Sequence, residues 1–232
     1  VSTFAISFHE YQTDRQKVVV ALPLYKQLSV SWFYNWELLS KEHCAGSIST
    51  DGVYLPFAMT DIVAAALRTF GSWEWLVVLE HDVVVGRDTF DRIAGYESDR
   101  DIVGAVCPQH QPPHKVMAFT QDDPQTVRHL TPEVLAPMLA APGLYEVDKV
   151  SMSCTAINRR VLEKWDPDIA MWDVDAPVPG RQRWGHDLRF CDEAVRQGFR
   201  VWLDTAICCG HLTETTVDVR AAGFGAPSPE TI

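Results

Sequence analysis

The stretch Trp73–Val85 reads WEWLVVLEHDVVV, an apolar run that ends abruptly in Glu80-His81-Asp82. Leu76, Val77, Val78 and Leu79 lack the polar alternation of a strand with one wet face, so they predict a strand covered on both faces in the middle of a sheet. Two carboxylates and an imidazole at the end of that strand emerge at the carboxyl edge of the sheet, where open α/β folds bind their ligands. A solvated turn after a strand gives the same local pattern. What sets this triplet apart is a second polar constellation late in the chain, Gly185-His186-Asp187 and Gly210-His211.

Upstream, Val18–Leu22 predicts a first buried strand, stopped by Pro23-Leu24-Tyr25 rather than by glycine. Ser29 or Ser31 can cap a helix whose apolar face carries Trp32, Phe33, Trp36 and Leu39. His43–Leu55 contains a Ser/Thr cluster and Asp51-Gly52, a turn signal with short strands beside it. A second helix over about 56–70 turns Ile62, Val63, Ala66, Leu67 and Phe70 inward and Thr60 and Asp61 outward. Downstream come a helix over 87–96, a buried strand over 102–107, and a polar, proline-bearing loop or two-stranded ribbon over 108–123 that holds His110 and His114. A short helix over 131–139, strands over 144–150 and 152–157 and a helix over 159–165 follow. Residues 166–184 are irregular, with three prolines, Trp172, Arg181, Arg183 and Trp184. A strong helix over 188–197 turns Phe190, Ala194 and Val195 inward and stops at Gly198; a strand over 199–203 closes the pattern. The alternation predicts one α/β domain, Rossmann-like, with a central, mostly parallel sheet flanked by helices.

Composition narrows the function. A chain of 232 residues is long enough for one full core, and its net charge of -11 argues against non-specific binding to nucleic acid. No run of about 18 apolar residues is present to span a membrane, and the start lacks a signal peptide's basic-then-apolar layout. Six cysteines, at 44, 107, 154, 191, 208 and 209, form no disulfide framework and suit reduced thiols in a cytoplasmic protein. The first loop contains neither GxGxxG nor GxxxxGK[ST], so the usual dinucleotide and triphosphate cradles are missing.

The strand, proline loop and helix, the acidic triplet after an apolar strand, the Gly185-His186-Asp187-Leu188-xx-Phe190 helix start and the late Gly210-His211 come in an order that resembles GT-A glycosyltransferases of the family 2 type. The resemblance covers roughly residues 18–213 and rests on this order and spacing. It implies a GT-A fold, a nucleotide-sugar donor linked to UDP or GDP, and Mn2+ or Mg2+ held at a DxD-type motif. It further implies sugar transfer to an acceptor that the sequence leaves unnamed. By similarity, Asp82 would be the metal ligand, His211 the late histidine that completes coordination, and Asp187 the catalytic base. Glu80 and His81 would lie near the ribose or the waters of the metal. Pro23 and Tyr25 would line the nucleobase pocket, and Asp61 would reach the base or ribose. On the acceptor side stand Trp172, Arg181, Arg183, Trp184 and His186. The division that follows is an arm at 1–17, a nucleotide-sugar-binding half at 18–107, an acceptor-side half at 108–213 and a tail at 214–232. Two positions depart from the family pattern: the triplet is Glu-His-Asp rather than Asp-x-Asp, and His186 stands where the base is often preceded by Glu.

The residues support this chemistry on their own terms. A divalent ion takes one or two carboxylates plus phosphate oxygens, and an added imidazole tilts the choice toward Mn2+. A carboxylate in the first turn of a helix is held ionised by the helix dipole, which suits a base facing a cleft; the plain alternative is a capping aspartate. With one well-placed base, an inverting single displacement is expected. Three other readings stand beside it: a nucleotidyltransferase or other nucleotide-sugar enzyme, a non-catalytic module that binds carbohydrate or a partner, and a zinc site using Cys208 or Cys209 with His211 and His186.

Overall fold

A computed structural model describes residues 6–11, 16–24, 28–123, 126–172 and 185–212. Its first half runs β1 (Ile6–Glu10), β2 (Val18–Leu24), α1 (Val30–Leu38), β3 (Cys44–Asp51), α2 (Leu55–Thr69), β4 (Trp75–Leu79), β5 (Val83–Val84), α3 (Thr89–Ala94) and β6 (Ile102–Val106). The second half runs β7 (Ala118–Asp123), β8 (Thr126–His129), α4 (Pro132–Ala140), β9 (Leu144–Glu146), β10 (Lys149–Val150), β11 (Cys154–Asn158), α5 (Arg159–Lys164), α6 (His186–Arg196), β12 (Val201–Cys208) and β13 (Gly210–His211).

Eight strands form the central sheet in the order β1-β3-β2-β4-β11-β6-β12-β9. β3, β2, β4, β6 and β12 run one way, while β1, β11 and β9 run against them. The sheet is therefore mixed and mostly parallel, with β4 in the interior as its apolar run predicts. Every residue of β4 is buried, and alternate side chains serve opposite layers. Trp75, Val77 and Leu79 join Trp32, Phe90 and Ile93 on one side; Leu76 and Val78 join Ile62, Ala66, Phe190 and Val161 on the other.

Three local expectations are corrected. The stretch around Ser47–Thr50 is a full eight-residue strand, β3, rather than short strands by a turn; it is held between β1 and β2. Its small side chains let α2's terminal Phe70 ring lie against Gly46. Phe33 does not join the inner face of α1: it is 51% exposed, while Trp32 is buried and donates its indole N–H to the Glu80 carbonyl at 3.0 Å. Val195 likewise points out of α6, whereas Phe190 and Ala194 point in. Elsewhere local signals hold: Ser29 Oγ accepts from Trp32 N at 3.0 Å to cap α1, and Gly198 takes the left-handed φ of 89° that stops α6. No helix among the described residues is long and apolar enough to cross a membrane.

Because β2, β3, β4, β6 and β12 are parallel, their carboxyl ends share one edge. That edge receives Pro23, Asp51, Glu80, Cys107 and Cys209 in turn. β11 runs the other way, so its amino end arrives there too, and the Ser153 carbonyl accepts from Glu80 N at 3.0 Å.

Candidate functional site

After β4 the chain turns tightly: Val83 N donates to the Glu80 carbonyl at 3.2 Å, which throws His81 and Asp82 outward before β5 begins. β5 then pairs with β13, His211 opposite Val83, and Leu212 N donates to the Asp82 carbonyl at 2.7 Å. This small ladder brings together two residues far apart in sequence, with His211 Nε2 lying 3.2 Å from Asp82 Oδ2. Gly210 is part of the reason, since a Cβ there would come within 2.8 Å of Val84 Cγ2. The other ring nitrogen, Nδ1, donates to the Pro108 carbonyl at 2.8 Å, which turns Nε2 toward the carboxylate. His110 stands edge-on to the same ring at 5.2 Å.

The electrostatics follow from this packing. The hydrogen bond to Asp82, with help from Cys107 and the Pro108 carbonyl, pushes His211 up to about 11 against the opposing effect of burial. Burial works to raise Asp82, but the hydrogen bond and charge of His211 outweigh it and hold the carboxyl below its ordinary value. Burial, then the charges of Asp82 and Asp187, push Glu80 up to about 7, with a Ser153 hydrogen bond opposing. Beneath His211 lies a group of thiols in which Cys107 is lowered by a hydrogen bond from Cys209 and by His211, and Cys209 is raised by its bonds to Cys107 and Cys154.

Asp187 belongs to the same edge, since Glu80 feels its charge. It stands in the first turn of α6 behind Gly185, the N-cap, and its Oδ1 accepts from Leu188 N at 2.8 Å. A Cβ at Gly185 would come within 2.8 Å of that oxygen, so glycine leaves the carboxylate room. Burial lowers His186, with the Asp187 charge opposing.

Beside this group opens a cleft of about 340 Å³ lined by Pro23, Tyr54, Leu55, Glu80, His81 and Asp82. Tyr54 and Leu55 were not singled out in the sequence; they reach the cleft because β3 ends at the same edge and α2 starts there. Asp61 is exposed on α2 and is not among the lining residues. Trp172 is not an open platform: it is buried and stacked on Phe190 at 4.4 Å, with Trp165 on the other contact at 5.0 Å. Tyr25, Arg181, Arg183 and Trp184 lie outside the described residues. Among the described residues no group of three or more His, Cys, Asp or Glu side chains is arranged to hold a metal ion, which leaves the zinc reading without a site there.

No family model matches the sequence, and no curated protein matches it. Solved structures do match. A197 from STIV is 14% identical over 86% of this chain and 87% of that chain, with a TM-score of 0.57. GalNAc-T7, solved with UDP, GalNAc and Mn2+, is 11% identical over 87% of this chain and 44% of that one, with a TM-score of 0.51. This chain has a GT-A-like fold. At such identities the likeness is one of architecture alone.

Proposed function

We propose that this protein is a metal-dependent glycosyltransferase that moves a sugar from a UDP- or GDP-linked donor to an acceptor hydroxyl with inversion. The observation that carries the reading is the gathering of Glu80, Asp82, Asp187 and His211 beside one cleft at the carboxyl edge of a GT-A-like sheet. In this reading residues 18–107 serve the donor and 108–213 the acceptor.

Asp82 and His211 fit a divalent cation: an oxygen and a nitrogen donor 3.2 Å apart, with the imidazole oriented by Pro108. Two protein donors are enough for Mg2+ or Mn2+, and the nitrogen favours Mn2+. When bound, the ion would neutralise the charge that develops on the diphosphate leaving group. His211, otherwise paired with Asp82 and raised by that pairing, would give up its Nε2 proton to serve as a ligand. Pro23, with Tyr25, walls the nucleobase, and Glu80 and His81 face the ribose or the waters around the ion. Asp187, favoured as a carboxylate by the α6 dipole, takes the proton of the acceptor hydroxyl as that oxygen attacks the anomeric carbon opposite the departing diphosphate. His186 borders the acceptor beside it.

A thermal-shift panel of UDP and GDP with and without Mn2+ tests the reading. Nucleotide at 100 times its Kd should stabilise the protein by about 2.7 kcal/mol only when Mn2+ is present. If neither nucleotide gives a Mn2+-dependent shift, the protein is not this enzyme.

A further inference from the structure

A second cavity lies apart from the acidic cleft. It measures about 780 Å³ and lies on the 108–213 side, between the loop that follows β6 and the strand β8 with the start of α4. Its floor is apolar, formed by Val127, Leu130 and Leu135, all buried. Its rim is cationic: Lys115 and Arg128 stand on it with His114 and His129, and no carboxylate is among the lining residues. In a chain with a net charge of -11, a rim of this composition is a local reversal of sign.

The rim is held in place by its own hydrogen bonds. Gln109 N donates to the Lys115 carbonyl at 2.7 Å, Met117 N to the Cys107 carbonyl at 2.8 Å, and Pro108 bridges Val116, so the loop is tied as a hairpin. His129 Nδ1 donates to the Val116 carbonyl at 2.8 Å, and His114 Nδ1 to the Gln109 carbonyl at 3.0 Å. A carbonyl can only accept, so in both rings Nε2 is the nitrogen that can meet a ligand. Two carboxylates stand near the rim: Asp122 pairs with the rim's own Arg128 at 3.0 Å, with both side chains more than half exposed, and Glu133 bonds to Thr131. An exposed pair of that kind is worth at most about 1 kcal/mol and leaves the guanidinium able to take a second anion.

From this geometry we infer that the cavity binds a small organic anion, its phosphate or carboxylate head on Lys115 and Arg128 and an apolar or aromatic body over Val127, Leu130 and Leu135. Apolar lining with a few charged groups is the usual make-up of a small-molecule site, and the volume is in the usual range. The site is independent of the transfer reading. It shares with the acidic edge only the loop whose Pro108 and His110 touch His211.

Calorimetry with 1-naphthyl phosphate, 1-naphthoate, 1-naphthol and inorganic phosphate tests it, on the full chain without Mn2+ or nucleotide. An aromatic anion should bind at least tenfold more tightly than 1-naphthol and than inorganic phosphate, and the tighter of the two anions identifies the preferred head group. The double variant Lys115→Glu/Arg128→Glu, both residues exposed, should keep its melting temperature and lose at least tenfold in affinity, while Lys164→Glu on α5 should lose none. Binding should also be unchanged in Asp82→Asn, which separates it from the donor cleft. Naphthol as tight as the anions, inorganic phosphate as tight as them, or equal affinity in the double variant would each overturn the inference.

Discussion

The molecule gathers carboxylates in two kinds of place and treats them in opposite ways. On the two faces of the sheet, the buried acids are answered. Asp204 is fully buried and takes both a bidentate Arg92, at 2.6 and 2.9 Å, and the Tyr96 hydroxyl at 2.7 Å. Asp192 has Lys149 at 2.8 Å and Arg196 at 2.6 Å. At the carboxyl edge the balance is different. Asp82 has His211, whereas Glu80 has a Ser153 hydrogen bond that does not offset its burial and its acidic neighbours, and it is pushed up to about 7. Buried charge is costly unless paired, so acids kept together in this way mark the edge as a candidate site. A paired acid is a strut; on the reading proposed above, the acids of the edge would answer a bound cation.

The sharpest way to break this contrast is Asp82→Asn. It should abolish sugar transfer and Mn2+-dependent nucleotide binding while the melting temperature stays near that of the wild type; full turnover would remove Asp82 from the metal. Next comes Asp187→Asn. Gly185, not Asp187, is the N-cap of α6, and Asn keeps an oxygen for Leu188 N but cannot take a proton, so transfer should fall by roughly 10²–10⁴ with stability and Mn2+–nucleotide binding little changed. If Asp187 only steadies the first turn of α6 through Leu188 N and the helix dipole, the Asn variant should transfer sugar normally and the Ala variant should lose about 0.3–1 kcal/mol of stability.

The other side of the comparison predicts the reverse pattern. Asp192→Ala removes the carboxylate that meets Lys149, whose side chain is 1% exposed, and should cost about 3–5 kcal/mol in denaturant unfolding. Mn2+-dependent nucleotide binding by the molecules that remain folded should be unchanged. A small stability loss, or an altered nucleotide affinity, would erase the distinction between strut and site.

The two kinds of place also differ in how far the sequence announces them. The central strand was legible because five consecutive apolar residues need cover on both faces, and the acidic edge because a polar triplet after such a strand has one place to go. The stop at Gly198 was legible for a local reason, the positive φ. β3 was not: Cys44–Asp51 is built of small and hydroxyl-bearing residues whose burial comes from flanking strands and the Phe70 ring, a tertiary cause with no local period. Nor was the reversal of β11, which delivers Ser153 to Glu80 and depends on pairing with β4 and β6. Within the site, the closeness of Asp82 and His211 is set by the β5–β13 ladder, and two-residue strands carry almost no periodic signal. Trp172 shows the converse: the resemblance set it among the acceptor-side residues, and Phe190 lies flat against it in the core. The struts were invisible because Lys149 looks like any surface lysine until its strand is seen to run under α6.

The smallest expected effect sharpens the contrast most finely, because it concerns Asp82, the acid at the edge that pairs with a histidine. His211 is raised to about 11, above its ordinary value of 6.5, so its pairing with Asp82 stabilises the fold fully below about pH 6.5, and the contribution is lost as pH rises through about 11. Between those limits the imidazole is protonated and stands where the proposed cation would bind. Binding Mn2+ there must expel one proton, so the affinity measured with saturating UDP should rise about tenfold from pH 7.5 to 8.5, a range in which Glu80, at about 7, has largely given up its own proton. In His211→Gln no proton has to leave; the affinity should be weaker at pH 8.5 and the dependence on pH should flatten. Calorimetry in two buffers of different ionisation enthalpy counts the proton directly: about one released by the wild type and close to none by the variant. The same proton count in both would show that His211 stays an imidazolium beside the ion, a strut for Asp82 rather than a ligand.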